Sequence, residues 1–264
     1  MELGLESKIA VVVGGGGGIG GGIARALAAE GATVAVCDRD HEAARRVADQ
    51  GNRDGGLRGR LHAVAMDLAD LESVARAVEE IKRTLGTATI LVNNTGGPPP
   101  GPVEGVAPEA WLESFQSMVL PVFALTDALL PGMREQRWGR VITSTSFGVV
   151  EPIANLGISN AMRPALLGWS KTLADEVGHE GITANIVVPG KIATDRAIAI
   201  DRDRAEREQR TLQEVVDENS ADIAVGRYGT PEEYGAAVAF LASEQASYIT
   251  GSVIRIDGGL IGSI

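Results

Sequence analysis

Two polar side chains stand four residues apart in a segment that is otherwise mostly small and apolar, ISNAMRPALLGWSK at 158–171. At that spacing Ser159 and Arg163 share one face of a helix. A hydroxyl can donate or accept a hydrogen bond, and a guanidinium is a permanent cation that binds sugar hydroxyls or anions. Because an Arg among apolar residues needs a partner when it is buried, we interpret the pair as part of a site.

Pro164 comes directly after this pair. Inside a helix a proline removes one amide donor and clashes with the carbonyl four residues back, here that of Asn160, at a cost of about 3 kcal/mol. The sequence therefore predicts a kink beside the site. We expect the freed Asn160 carbonyl and the Asn160 amide to hold a water or a substrate group.

A glycine-rich loop stands at the other end of the chain, in VVVGGGGGIGGGIARALAAEG, with glycines at 14–18 and 20–22. A helical pattern begins at Ile19 and runs to Glu30. The free amides and positive dipole end of a helix N-terminus bind a pyrophosphate, so the loop predicts a dinucleotide site. Since glycines lose much chain entropy on ordering, we expect the loop to become ordered only when the dinucleotide binds.

Asp38 closes the second apolar run, where an acidic residue binds both ribose hydroxyls of an adenosine and repels a 2′-phosphate. The sequence therefore favours NAD over NADP. Arg39 is the opposing feature, because a guanidinium at the next position can meet a phosphate. The glycine loop contains no second basic residue to help it.

Seven apolar runs of strand length alternate with longer segments of helical period. This order predicts a parallel sheet covered on both faces, because right-handed crossovers place helices there. We predict an α/β fold, a Rossmann-type doubly wound sheet of seven parallel strands, as one domain over 1–264. Ligands bind such sheets beyond the carboxyl ends of the strands. The predicted strands are 8–13, 33–37, 61–66, 89–93, 139–145, 182–188 and 252–257.

The composition excludes several classes of protein. A net charge of −11 disfavours nucleic acid or an anionic membrane as the main partner. One cysteine, Cys37, allows no internal disulfide and is interpreted as a small buried hydrophobe, and three scattered histidines form no metal cluster. No secretory signal and no apolar run long enough for a bilayer are found, so we expect a cytoplasmic protein. The charged run 201–222 indicates a solvated helical face, with a mobile lid over the substrate as the alternative.

The glycine spacing resembles the cofactor loop of the short-chain dehydrogenase/reductase family. MDLAD, LVNNTGG, VVPGKIAT and YITGSVIRIDGG resemble its other motifs, and GRYGTPEEYGAAVAFLASEQASYITG is typical of its members that resemble 3-oxoacyl-acyl-carrier-protein reductases. Nearly the whole chain is covered. The cofactor-binding residues that this resemblance implies are Gly14, Gly18, Ile19, Gly20, Asp38, Arg39, Asp67, Leu68, Asn94, Gly96, Arg163, Pro189, Gly190, Ile192 and Thr194.

The family's catalytic residues are an Asn, a Ser, and a Tyr and Lys four apart, of which Tyr passes the proton. Ser146 matches the serine, whereas Ser159 falls at the Tyr position, Arg163 at the Lys position and Met118 at the Asn position. An alkyl hydroxyl is a far weaker acid than a phenol, and Arg does not deprotonate. Losing general acid–base help costs about 10² to 10⁴ in rate. The chain has three tyrosines, and all stand at positions that look structural in the family, namely Tyr228, Tyr234 and Tyr248.

Three functions follow. The first is an NAD-linked oxidoreductase in which Ser146 polarises the substrate oxygen and Arg163 fixes the nicotinamide ribose. The proton is carried either by a water that Ser159 positions or by the substrate itself. The second is a dinucleotide-binding lyase, cyclase or isomerase in which Arg163 stabilises an oxyanion. The third is an inactive partner subunit.

The substrate is predicted to be a small molecule held by the loops near 96–105, 147–157 and 194–220, and its identity stays open. Lys171 is interpreted as a solvated residue on the outer face of its helix. By resemblance, the helices around 115–130 and 160–175 form an interface, which implies a homo-oligomer, a dimer or a tetramer.

Overall fold

The computed structural model describes residues 2–264, which form seven parallel strands and ten α-helices. The strands are β1 (Ile9–Val13), β2 (Thr33–Asp38), β3 (Arg60–Ala65), β4 (Ile90–Asn94), β5 (Gly139–Ser144), β6 (Ile182–Pro189) and β7 (Val253–Ile256). The helices are α1 (Gly18–Ala29), α2 (His41–Arg53), α3 (Leu71–Thr84), α4 (Pro108–Met118), α5 (Leu120–Gln136), α6 (Gly157–Met162), α7 (Ala165–Val177), α8 (Asp195–Glu208), α9 (Leu212–Ala221) and α10 (Pro231–Leu241).

The strands pair in the order β3-β2-β1-β4-β5-β6-β7. Val12 at the centre of the sheet pairs with Val36 of β2 and Val92 of β4, and all three side chains are fully buried. Such strands are apolar because helices cover both faces of the sheet. One apolar cluster includes residues of α1 and α10, and a second includes residues of α3, α5 and α7. The predicted doubly wound α/β fold is confirmed.

The strand order reverses between β1 and β4, and this opens a crevice at the carboxyl ends of the two strands. The glycine loop follows β1, and Asn94 ends β4. Thr145 and Ser146 follow β5 at the same edge. The topology therefore places the motifs from distant parts of the sequence at one edge of the sheet.

Helices α1 and α10 approach each other closely through glycines. A Cβ at Gly22 would lie 2.4 Å from the carbonyl oxygen of Pro231, and a Cβ at Gly235 would lie 2.6 Å from the carbonyl oxygen of Gly22. Thr230 caps the start of α10, and its side chain and that of Glu233 form a capping box. The contact holds α1 in place behind the glycine loop.

The segment Pro108–Gln136 corrects one expectation. It is 29 residues long with a mean hydropathy of 1.3, so by length and composition it is able to cross a membrane. The prediction that the chain contains no apolar run long enough for a bilayer is therefore wrong for this segment. The helix breaks at Val119 into α4 and α5, and on α5 Leu125, Leu129 and Met133 are buried in the core. A buried core helix meets the same criteria of length and hydropathy because it too is long and apolar.

Pro164 interrupts the helix at the predicted place. α6 ends at Met162 and α7 begins at Ala165, so the expected kink is a break between two helices. The charged run 201–222 forms parts of α8 and α9, with Arg204 paired to Glu208 and Glu218 on their surface. A solvated helical face is thus confirmed for this run, and the lid alternative stays a prediction.

Cys37 and Lys171 have the environments that the sequence predicts, a buried position for the cysteine and a solvated one for the lysine. Cys37 is fully buried in β2, and burial raises the pKa of its thiol above the ordinary range. Lys171 is exposed on α7 and pairs with Asp175, whose Oδ1 lies 2.9 Å from the lysine Nζ. Neither side chain takes part in the site described below.

We predict that Gly22→Ala lowers the free energy of unfolding by about 1–3 kcal/mol, because the new methyl group overlaps the Pro231 carbonyl and forces α10 away. Gly21→Ala is the matched control on the same turn, since a Cβ there would meet its nearest neighbour, the Gly15 carbonyl oxygen, at an ordinary 3.5 Å. The control should be neutral or gain up to about 1 kcal/mol from helix propensity. Urea unfolding of both variants measures the difference, and equal stabilities would contradict the close contact.

Candidate active site

The glycine loop turns back tightly against the end of β4. Gly14 has a φ of +62°, and a Cβ there would lie 2.5 Å from the Asn94 carbonyl oxygen. Asn94 Nδ2 donates to the Gly14 carbonyl at 3.4 Å. A Cβ at Gly20 would lie 2.0 Å from that same Gly14 oxygen. Only glycine fits these two positions, because the space excludes a side chain at both and the positive φ disfavours one at Gly14 as well.

The start of α1 fits a dinucleotide. Gly17 caps the helix without a side-chain hydrogen bond, and the first turn contains no acidic residue. The amides of the first turn therefore have neither a capping oxygen nor a competing carboxylate. A Cβ at Gly17 would meet nothing within 4 Å, which leaves open space beside these amides. Ile19 lies half-buried in this first turn. The arrangement suits a diphosphate.

Asp38 lies beside the same loop. Its Oδ2 accepts a hydrogen bond from the Gly16 amide at 3.0 Å, and its Oδ1 accepts one from the Asp40 amide at 3.0 Å. These bonds fix the carboxylate at the end of β2, where an adenosine ribose binds in this kind of fold. Arg39 is exposed and makes no side-chain hydrogen bond or ion pair with any part of 2–264.

The other predicted cofactor residues lie at the same edge. Asp67 is exposed after β3 and accepts from the Ala69 amide at 2.9 Å, and Leu68 beside it is half-buried. Beyond β6, a Cβ at Gly18 of the glycine loop would lie 3.3 Å from the Thr194 side chain. The segment that reaches Thr194 consists of Pro189 at the end of β6, Gly190 against Asp257, and buried Ile192.

Ser146 follows β5 in extended conformation and caps a short 3₁₀ helix, Phe147–Val149. Its Oγ accepts a hydrogen bond from the Gly148 amide at 3.1 Å. The hydroxyl hydrogen has no partner among the described residues, and the side chain is half-buried. Ser146 can therefore donate a hydrogen bond to an oxygen atom that enters the crevice.

Arg163 is buried, with 8% of its surface exposed, and all its hydrogen-bond partners are neutral. Nε donates to Ser159 Oγ at 3.3 Å and Nη1 to Thr95 Oγ1 at 3.5 Å. Nη2 donates to the carbonyl oxygens of Thr95 at 3.3 Å and Gly96 at 2.9 Å. The predicted pairing of Ser159 with Arg163 on one face is thus present, and the guanidinium joins α6 to the end of β4.

Burial, followed by the charge of Arg196, lowers the pKa of Arg163 to about 10. The guanidinium therefore stays cationic at neutral pH. It cannot act as a base there, but it supplies a positive charge in a region of low dielectric, where charge acts strongly.

The prediction for Asn160 is wrong as to its side chain. Asn160 Nδ2 donates to the Ile153 carbonyl at 2.8 Å, and Asn160 Oδ1 accepts from the Ile153 amide at 3.2 Å. Both ends of the amide thus bind the backbone of the 147–157 loop, and the side chain holds that loop instead of a water or a substrate group. Sequence reasoning could not see this contact, because it depends on how the loop folds back onto α6.

Met118 and the tyrosines offer no obvious acid. Met118 is buried in an apolar cluster with Val122 and Leu166. Tyr234 is fully buried on α10, where its hydroxyl lies 3.0 Å from Ser144 Oγ, and burial raises its pKa despite the nearby charge of Arg163. Tyr228 is engaged with Asp201 and Asn219, and Tyr248 is fully exposed.

The three loops expected to form the substrate pocket come together. Gly101 pairs with Leu156 in an isolated bridge, which joins 96–105 to 147–157. Arg196 Nη2 donates to the Pro98 carbonyl at 3.2 Å, which joins the start of α8 to the first loop. Arg196 was missed from the sequence, although a basic residue two positions after Thr194 was a visible signal.

Comparison with known proteins gives consistent matches over the whole chain. A family model described as enoyl-(acyl carrier protein) reductase matches residues 14–261. The 3-oxoacyl-(acyl-carrier-protein) reductase FabG of Escherichia coli K12 is 35% identical over 257 residues, which are 97% of this chain and 98% of the relative.

Solved structures agree with this match. L-sorbose reductase from Gluconobacter frateurii, solved with NADPH and L-sorbose, superposes with a TM-score of 0.93 at 31% identity and covers 100% of both chains. YwfH, an NADPH-dependent reductase involved in bacilysin biosynthesis, superposes with a TM-score of 0.91 at 28% identity, covering 97% of this chain and 99% of that one.

We predict that Asn160→Ala loosens the 147–157 loop, because it leaves the amide and carbonyl of Ile153 without their partners. The lost pair of hydrogen bonds corresponds to about 1–3 kcal/mol of local stability. Hydrogen exchange at Ile153 should accelerate roughly tenfold or more, with exchange in β1 unchanged as the internal control. Unaltered exchange at Ile153 would show that other contacts hold the loop.

Proposed function

This chain belongs to the short-chain dehydrogenase/reductase family of NAD(P)-dependent oxidoreductases, and we propose that it interconverts a ketone and an alcohol along a non-standard proton path. The observation that carries the proposal is the place of Ser146. Its hydroxyl hydrogen is free at the sheet edge that also holds the glycine loop. The nicotinamide dinucleotide supplies or accepts the hydride when it is bound.

Ser146 orients the substrate oxygen in this proposal. A hydrogen bond from the serine hydroxyl polarises a carbonyl and stabilises the negative charge that grows on its oxygen during reduction. The bond from the Gly148 amide at 3.1 Å holds the serine oxygen in place and leaves its hydrogen available to a substrate oxygen. This is orientation and charge stabilisation, and it needs no change in the protonation of the serine.

Ser159 and Arg163 take the places at which the family's phenol and amine pass a proton. We propose that Arg163 fixes the nicotinamide ribose and supplies positive charge, and that Ser159 positions the water that carries the proton. The 3.3 Å bond from Arg163 Nε to Ser159 Oγ supports this arrangement, because the serine oxygen accepts there and its hydrogen stays free to meet a water.

The cofactor specificity rests on two opposing observations. The two solved reductases named above are an NADPH complex and an NADPH-dependent enzyme, which supports NADP for this chain. Asp38 supports NAD, because its fixed carboxylate stands where a 2′-phosphate would bring further negative charge. We propose that Asp38 gives a preference for NAD, with Arg39 permitting weaker binding of NADP.

We also propose a homo-oligomer, a dimer or a tetramer. Leu112 and Phe115 on α4 expose 63% and 39% of their surface, which is typical of residues that a partner subunit covers. A cytoplasmic location, a small-molecule substrate and the absence of nucleic acid or membrane partners stay predictions from the composition.

The test of the function incubates the pure protein with NADH or NADPH and a panel of ketones, while fluorescence titration measures the binding of both cofactors. Binding with turnover supports the oxidoreductase. Binding without turnover on any ketone would favour the lyase, cyclase or isomerase, or the inactive subunit. Absence of binding would contradict the assignment of the glycine loop.

The proton path is tested by the double variant Ser159→Tyr with Arg163→Lys. We expect its reductase rate to rise by about 10² or more, because a phenol beside an ammonium restores general acid help. Each single variant serves as a control and should gain little. Circular dichroism verifies the fold. A double variant that is folded and no faster than the parent would show that these two residues do not limit the reaction.

The cofactor preference is tested by Asp38→Asn, which keeps an acceptor oxygen for the ribose and removes the charge. We expect the ratio of the Kd for NADPH to that for NADH to fall about tenfold, since one like-charge repulsion is removed. Asp40→Asn, two residues on, is the control for general loss of negative charge. A parent protein that binds NADPH more tightly would overturn the preference.

A further inference from the structure

Arg163 is a buried cation without a counter-ion. Its hydrogen bonds go to a hydroxyl of Ser159, a hydroxyl of Thr95, and the carbonyls of Thr95 and Gly96. A guanidinium has five N–H groups, so one of them has no partner within 2–264. A buried charge whose partners are all neutral is costly to maintain, and a bound anion relieves that cost.

A second guanidinium, that of Arg196, faces the same spot. A Cβ at Gly97 would lie 2.6 Å from Arg196 Nη2 and 3.6 Å from Arg163 Nη2, so both groups flank the backbone of one glycine. The Arg196 charge contributes to lowering the pKa of Arg163, which is the sign of repulsion between the two cations. Arg196 itself donates to a neutral partner, the Pro98 carbonyl.

No carboxylate oxygen within 2–264 lies within 4 Å of either guanidinium, although the chain carries a net charge of −11. Arg204 and Arg210, on and just after the same helix α8, contrast with this pair. Each of them contacts both Glu208 and Glu218. Two guanidinium groups without a carboxylate partner therefore lie side by side at the junction of the 96–105 loop and α8.

We infer that this junction binds the carboxylate of the substrate, which makes the substrate a keto acid or hydroxy acid in its anionic form. Arg196 is exposed and flexible enough to meet a carboxylate with two N–H groups, and Arg163 adds its charge from behind. The inference rests on the proposed function, because it specifies the substrate of that same site.

The diphosphate of the cofactor is a second possible source of an anion here. The glycine loop approaches the side chain of Thr194, whereas Arg196 reaches over the substrate loop to Pro98. The free amides at the start of α1 already suit the diphosphate. The position of Arg196 therefore favours the substrate carboxylate, and the experiment separates the two sources.

The first arm measures binding alone. Oxamate is a carboxylate that contains no ketone, so it can bind without being reduced. Oxamate and its neutral analogue oxamide are titrated into the protein saturated with NADH or NADPH. We expect oxamate to bind about tenfold or more tightly than oxamide, and Arg196→Gln to remove most of this difference. Arg196→Lys should restore part of it, because the charge returns without the planar fork.

Arg202→Gln is the matched control, since Arg202 is exposed on α8 and makes no ion pair with the described part of the chain. It should leave the preference for oxamate unchanged. The Kd of the cofactor should change less than twofold in Arg196→Gln. A large loss of cofactor affinity with an unchanged preference for oxamate would assign the pair to the diphosphate and overturn the inference.

The second arm measures turnover of acetoacetate, pyruvate and their methyl esters. A higher kcat/KM for the acids than for the esters supports the inference. In Arg196→Gln this preference should disappear because the KM for the acids rises. Turnover of esters and acids at equal kcat/KM would overturn it and leave the proposed function intact. Selective binding of oxamate without turnover of any ketone would support the carboxylate site while contradicting the oxidoreductase.

Discussion

The site depends on one buried cation. The Arg163 guanidinium binds the carbonyls of Thr95 and Gly96 and so ties the short helix α6 to the chain beyond β4. Because carbonyl oxygens are neutral acceptors, these bonds fix the position of the charge without cancelling it. A lysine has a single nitrogen atom and cannot reach four acceptors in this planar arrangement. The same group therefore organises the crevice and sets its electrostatic potential.

A second constraint is the close approach of backbone segments around the glycine loop. Gly14, Gly20 and Asn94 are packed so tightly that any side chain at either glycine would overlap the backbone. On the far side of α1, Gly22 and Gly235 allow α10 to support the helix. The start of α1 is thus held between β4 and α10, and its free amides point in one fixed direction.

The fold could be predicted because its signal is repeated along the chain. Runs such as KIAVVV and TVAVC are apolar throughout, and strands buried on both faces need this pattern. Asp38, Ser146 and Thr194 could be placed because each lies at or beyond the carboxyl end of a strand, at the edge where ligands bind. Asn160 and Arg196 could not, since their partners lie in loops whose path no periodic pattern describes. The prediction that no apolar run is long enough to cross a bilayer failed at Pro108–Gln136, because an apolar core helix reaches the length and hydropathy of a membrane helix.

The 96–105 loop is attached to its two neighbouring segments with different strength. Gly101 exchanges two backbone hydrogen bonds with the 155–157 segment, of 2.7 and 3.0 Å. By contrast, the first loop meets α8 through a single side-chain bond, from Arg196 to Pro98. Parting α8 from this loop therefore breaks fewer hydrogen bonds than parting the loop from 155–157. In the proposed pocket the 96–105 loop is thus held more firmly at 155–157 than at α8, and we expect a bulkier substrate to gain room on the side of α8.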